Sequence, residues 1–307
     1  MPQSDYDIVI IGAGPAGLTA GIYAARARMN VLLVEKAAPG GQVIVTDWVE
    51  NYPGFPEGIT GFDLGEKMLT QAKNLGLEIE TAEVNSMDLS KDVKTLNLSG
   101  REITCRSVII ATGASPRKLN IGEDKFSGKG VSFCATCDAP FFKGKTVVAV
   151  GGGDTAVQEA VYLTKFAEKV YLVHRRDELR AAKILRERAV DNEKIEFVWD
   201  SVVTGMDGLF GIENVQVKNV KTGEEESIKA NGCFIWIGIL PNTAFVNDSV
   251  ALDQGGFVIA DQHMATSVPG VFAAGDVQDK TYRQAVTAAG TGCMAALEAE
   301  KFIVEEG

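Results

Sequence analysis

The chain has 307 residues, 46% hydrophobic and 23% charged, enough for two domains with a large buried core. Its net charge of -11 excludes a broad nucleic-acid or anionic-membrane surface, which needs an excess of lysine and arginine. No apolar run approaches the roughly 20 residues of a membrane span. The polar start, residues 1–7, carries no secretory-leader pattern, so a cytoplasmic location is expected.

Residues 7–11 (DIVII) form a short apolar run ended by glycine, the pattern of a buried strand. Gly12-Ala13-Gly14-Pro15-Ala16-Gly17 follows, then a helical stretch from 18 to about 28, a second strand over 31–34, and Glu35. This order of strand, G-x-G-x-x-G, helix, strand and acid is that of a dinucleotide site. Gly12, Gly14 and Gly17 let the backbone approach a pyrophosphate, and the helix start offers N–H groups and a positive dipole end. Glu35 would accept hydrogen bonds from an adenosine ribose. The competing reading is a tight strand-to-helix turn with no ligand.

A third strand is expected over 108–112, closed by Gly113. The CATC run, Cys134-Ala135-Thr136-Cys137, is followed directly by Asp138. Two cysteines three apart can close a small disulfide ring, and a helix start there would favour the thiolate of the first. A structural zinc site usually wants four ligands, and Cys105, Cys233 and Cys293 are scattered in apolar runs, so no metal is expected. With only two histidines in the chain, Asp138 is the best-placed acid/base for the thiols.

The first pattern then recurs. A strand over 146–150 precedes Gly151-Gly152-Gly153-Asp154-Thr155-Ala156, a helix from about 156 to 166, and a strand over 170–173. Gly12 to Glu35 and Gly151 to His174 both span 23 positions, so the two units align without a gap. The acid of the first becomes His174-Arg175-Arg176 in the second, with Arg180 one helical turn on. A carboxylate suits a free 2′-hydroxyl, whereas arginines suit a 2′-phosphate. The first unit therefore reads as a site for FAD, and the second, with Gly151, Gly153, Asp154 and Thr155 at its phosphate turn, as a site for NADPH. A solvated basic helix start, flanked by Asp177 and Glu178, is the bland alternative. A further strand and glycine turn over 270–276 place the second unit as an insertion, with Pro116 and Pro241-Asn242 as turn-like linkers. The expected domains are residues 1–114 and 243–307 for FAD and 115–242 for NADPH.

Together with Gly40-Gly41-Gln42, Asn51-Tyr52-Pro53-Gly54, Ala111-Thr112-Gly113, Gly275-Asp276-Val277 and Tyr282-Arg283-Gln284-Ala285, these motifs make the chain resemble the bacterial-type, low-molecular-weight thioredoxin reductases from end to end. The resemblance implies an α/β fold of two Rossmann-like three-layer domains, the NADPH domain inserted into the FAD domain, in a homodimer. It implies FAD contacts at Gly41, Gln42, Asn51 and Gly113, a ribityl contact at Asp276, and Arg283, Gln284 and Ala285 at a helix start facing the flavin. It also implies an inserted domain that rotates between two orientations and a thioredoxin, or a related dithiol protein, as electron acceptor. Glutathione- and lipoamide-reductase relatives carry their cysteines near the first ribose acid, and residues 40–51 contain none. A flavin dithiol oxidase using oxygen is the remaining alternative. The adjacency of Asp138 favours Cys137 as the flavin-facing sulfur and Cys134 as its exchange partner. Ile239 and Trp236 have no assigned role.

Overall fold

The computed structural model describes residues 4–46, 48–246 and 249–305. The polar start at residues 1–3 lies outside them. In chain order the elements are β1 (Tyr6–Ile11), α1 (Pro15–Arg26), β2 (Val31–Glu35), α2 (Gly61–Asn74), β3 (Glu78–Thr81), β4 (Val84–Asp88), β5 (Lys94–Leu98), β6 (Arg101–Ile110) and β7 (Ala114–Pro116). There follow β8 (Val131–Ser132), α3 (Ala135–Asp138), β9 (Thr146–Gly151), α4 (Asp154–Leu163), β10 (Lys169–Val173), α5 (Lys183–Val190), β11 (Ile195–Val198), β12 (Ser201–Asp207), β13 (Asn214–Asn219), β14 (Glu225–Lys229), β15 (Gly232–Trp236) and β16 (Ile239–Pro241). The last are β17 (Val271–Ala273) and α6 (Ala285–Glu305).

The chain forms two compact units, Met1–Ser115 with Leu240–Gly307, and Pro116–Ile239. In the first, β3-β2-β1-β6 run side by side, with β17 along the end of β6 and β5-β4 along its beginning. Alternation in β1 assigns its two faces. Ile8 and Ile10 pack with Leu18 and Ala20 of α1 and Ala295, Ala296 and Ala299 of α6. Val9 and Ile11 pack with Leu96 and Leu98 of β5. The unit therefore has three layers: helices, a largely parallel sheet, and an antiparallel ribbon. Burying each such aliphatic side chain stabilises by about 1.5–3 kcal/mol before the ordering cost.

The inserted unit repeats this plan. Its sheet runs β11-β10-β9-β15-β8, all parallel. Val147 and Ala149 pack with Val157, Ala160 and Leu163 of α4. Val148 and Val150 pack with Val203, Val215, Val217 and Ile228 of the antiparallel sheet β12-β13-β14.

Four sequence expectations are corrected here. Helix α1 begins at Pro15, not at 18, and ends at Arg26. Proline suits the first helical position because its missing N–H has no partner there anyway. Gly17 thus lies inside the helix, where an added Cβ would fall 1.8 Å from the Gly12 carbonyl oxygen. Helix α4 begins at Asp154 and ends at Leu163 rather than running over 156–166. The arginine segment is a loop, since α5 starts only at Lys183. The two linkers are extended strands, β7 and β16, that pair with each other, rather than turns.

Candidate active site

The first glycine turn is built by close contact. Gly12 has φ +104°, and a Cβ there would lie 2.5 Å from the Ala111 oxygen. Its N–H donates to Val34 O at 2.8 Å, which ties the turn between β1 and α1 to strand β2. Gly14 precedes α1 with no side-chain cap, so the first N–H groups of the helix remain available. Gly40 N donates to Ala13 O at 2.7 Å, and a Cβ on Gly41 would be 2.8 Å from Gly14 Cα. The Gly40-Gly41-Gln42 segment is therefore seated on the phosphate turn. Glu35, at the end of β2, accepts from Ala13 N at 2.7 Å and Ala37 N at 2.9 Å. Those bonds hold the carboxylate in place and leave lone pairs for ribose hydroxyls.

The remaining residues expected at FAD lie in the same unit. Gly113 has φ +66° with open space beside its Cα, and its carbonyl accepts from Asn242 N at 3.0 Å. Asn51 Nδ2 donates to Gln284 Oε1 at 3.3 Å, joining two residues 233 apart. Ala285 opens α6, behind the left-handed Arg283 at φ +51°. Arg283 Nε is buried without a hydrogen-bond partner. Asp276 follows β17 on a single 3-10 turn. Burial pushes its carboxyl up to about 6, the nearby Asp279 charge adds to this, and Arg283 opposes it. An open glycine turn, an uncapped helix start, a fixed ribose acid and an unpartnered guanidinium nitrogen fit FAD.

The second turn has the same build and the opposite charge. A Cβ on Gly151 would lie 2.5 Å from Trp236 O, while Gly153 opens onto free space at the uncapped start of α4. Asp154 Oδ1 accepts from Ala182 N at 2.7 Å, and Arg180 N and Ala181 N donate to Gly152 O. Thr155 is exposed on the first turn of α4. His174 differs from its neighbours. It is buried, its ring lies against Gly152, and Nε2 has no partner. Burial and then the Arg180 charge lower its pKa below the ordinary imidazole value. Arg175, Arg176 and Arg180 are exposed. Asp177 is bound to Lys221 at 2.8 Å and Glu178 to Arg186, so the adjacent acids are occupied elsewhere. Among the described residues none of the three arginines pairs with a carboxylate, a cluster that fits a 2′-phosphate.

Cys134 and Cys137 are joined as a disulfide with Cα atoms 5.4 Å apart. Edge strand β8 leads into Cys134, the residue before α3. Asp138 Oδ2 accepts from Ser132 Oγ at 2.5 Å, and Cys134 N donates to the same hydroxyl oxygen at 3.1 Å. Thr136 Oγ1 lies 3.3 Å from Cys134 Sγ. Ala135 N donates to Glu159 Oε2 of α4 at 3.2 Å. Trp236 Nε1 donates to Phe133 O at 3.0 Å, so this tryptophan braces the segment entering the cysteine pair. Ser132 and Glu159 were missed in the sequence. Ser132 sits within the motif's approach, but no spacing rule links Glu159 to cysteines some twenty residues earlier. Cys105 and Cys233 are fully buried, and burial pushes the Cys105 thiol up to about 12 and the Cys233 thiol up as well. Among the described residues no histidine, cysteine and carboxylate group could hold a metal ion.

Fold and site together define a two-domain dinucleotide-binding oxidoreductase with an internal redox disulfide. The chain belongs to the pyridine nucleotide-disulphide oxidoreductase family, whose profile matches residues 6–292. It is 51% identical to the thioredoxin reductase of Rickettsia conorii over 302 residues, covering 96% of this chain and 97% of that one. It is 46% identical to that of Listeria monocytogenes over 304 residues, 98% of this chain and 94% of the relative. The crystal structure of the Streptococcus pyogenes thioredoxin reductase is 44% identical and superposes with a TM-score of 0.93 over 98% of both chains.

Proposed function

We propose that the chain is an NADPH-dependent thioredoxin reductase, with FAD in the outer unit, NADPH in the inserted unit and Cys134–Cys137 as the internal acceptor. One observation carries the reading. Two glycine turns of one build end in opposite charges, Glu35 in one and the arginine cluster in the other, and the second unit also holds the disulfide. The likeness to thioredoxin reductases favours thioredoxin over another dithiol carrier or oxygen. Bound FAD supplies a two-electron relay between nicotinamide and disulfide.

Glu35 binds ribose hydroxyls, and the start of α1 holds the pyrophosphate of FAD. Gly41, Gln42, Asn51, Gly113, Asp276, Arg283, Gln284 and Ala285 complete that site. Gly151, Gly153, Asp154 and Thr155 line the other pyrophosphate turn, and Arg175, Arg176 and Arg180 hold the 2′-phosphate. His174, packed behind Gly152, shapes that turn. Two electrons and two protons convert Cys134–Cys137 to a dithiol. One thiolate attacks the thioredoxin disulfide, and the second cysteine resolves the mixed disulfide, leaving thioredoxin with two thiols. Asp138, held by Ser132, handles the proton of the adjacent sulfur. Cys137 is assigned to the flavin and Cys134 to thioredoxin. Among the described residues no helix is long and apolar enough to cross a membrane, and we place the enzyme in the cytoplasm as a homodimer. Anaerobic titration with NADPH and then NADH, followed by oxidised thioredoxin, tests the reading. Bleaching of the flavin by NADPH and its recovery on adding thioredoxin is the expected result, and no recovery would overturn it.

A further inference from the structure

The hairpin joining β12 to β13 carries Leu209 and Phe210 at its tip, 80% and 86% exposed. Two adjacent large apolar side chains held in water are unusual for a surface with no partner. The turn beneath them is firmly built. Gly208 has φ +154°, and a Cβ there would lie 1.8 Å from Gly211 O, so only glycine fits. Glu213 N donates to Asp207 O at 2.9 Å and closes the hairpin. Ile212, two residues beyond Phe210, is 3% exposed and belongs to the core. The chain therefore buries one apolar side chain of the turn and presents the other two outward.

The base of this hairpin is tied to the segment that leads to the redox pair. Ile212 N donates to Lys129 O at 3.0 Å, and Gly130 closes on Ile212. Lys129 precedes Cys134 by five residues, through edge strand β8. Five extended residues span at most about 17 Å. A stable protein partner covers roughly 800 Å² a side, a patch about 30 Å across. The hairpin base therefore lies within one interface width of Cys134. Lys125 and Lys129 on the same segment are exposed, and among the described residues neither pairs with a carboxylate.

We propose that Leu209 and Phe210 form an apolar anchor for the protein disulfide substrate, flanked by Lys125 and Lys129. The substrate this surface fits is a dithiol protein whose cysteines are rimmed by apolar side chains with acidic groups beside them. This rests on the reading of the chain as a thioredoxin reductase. It assigns a recognition role to a hairpin outside the nucleotide and cysteine sites.

The test uses the FAD-loaded enzyme, a bacterial thioredoxin and the small disulfide dithiobis-nitrobenzoate. In L209S/F210S the KM for thioredoxin rises about tenfold, the loss expected for truncating an interface anchor. Its kcat with thioredoxin and its turnover of the small disulfide stay at the wild-type values. In K125E/K129E the thioredoxin kcat/KM falls and loses its dependence on salt. An unchanged thioredoxin KM in L209S/F210S overturns the anchor while leaving the reductase reading intact. So does a sedimentation shift to a smaller species, which gives the tip to a second copy of the chain. A wild-type enzyme that turns over the small disulfide but not thioredoxin overturns the functional reading and the anchor together.

Discussion

At the scale of single residues, the proposed chemistry rests on Asp138 and the arginine cluster. Asp138 is held by the Ser132 hydroxyl beside the disulfide. Asp138→Asn keeps a similar shape but removes the proton-carrying group. We expect thioredoxin turnover to fall about 100-fold or more, while stopped-flow reduction of the flavin by NADPH proceeds at the wild-type rate. The arginines act on binding instead. Charge-assisted bonds contribute about 1.5–3 kcal/mol each, so R175A/R176A raises the KM for NADPH about tenfold or more. The KM for NADH, which lacks the 2′-phosphate, stays unchanged. Equal losses with both cofactors would remove these residues from the phosphate site.

At the scale of elements, stability depends on contacts that only a turn or a loop creates. The β1-to-α1 crossing has no room for a side chain at Gly17, where Cβ would meet the Gly12 oxygen. Gly17→Val should therefore displace the turn, and the purified protein should lose most of its FAD absorbance. The loop after β7 is held by Glu123, which is 2% exposed and accepts from the N–H groups of Leu119, Asn120 and Ile121. Burial works against its charge, but these bonds outweigh it and lower its pKa below the ordinary 4.5. A depressed folded pKa means its stabilisation is present above 4.5 and lost as pH falls through the folded value. Glu123→Gln should cost about 1–3 kcal/mol near neutrality. Thermal melting should show the two proteins converging as the pH falls from 4.5 through the lowered folded-state pKa.

At the scale of the whole molecule, each unit has its own cores on both faces of its sheet. Strands β7 and β16 pair, so the chain leaves and re-enters the outer unit at neighbouring points. Cutting out residues 116–239 and joining the ends with a short glycine-serine link should leave a unit that folds and binds FAD. The excised segment should fold alone, bind NADPH and carry a reducible disulfide. Circular dichroism and flavin fluorescence measure both outcomes, and an unfolded outer unit would show that its core depends on the insertion.

Much of this was already legible in the sequence, because its signals are local. Glycine turns, apolar alternation and the charge after the second strand depend on neighbours a few residues apart, and they determined both nucleotide turns, the redox pair and the class of fold. Helices α1 and α4 start three and two residues before the points their sequence patterns suggest, because the glycine motif itself forms the first turn of each. The tertiary structure alone decided what joins distant segments. It set Asn51 against Gln284, placed Glu159 at the start of α3, and buried the His174 ring under Gly152 while the arginines stay exposed. It also tied the β12–β13 hairpin to the segment before Cys134. These contacts arise from the packing of whole layers, and no spacing along the chain encodes which side chains meet when the layers close.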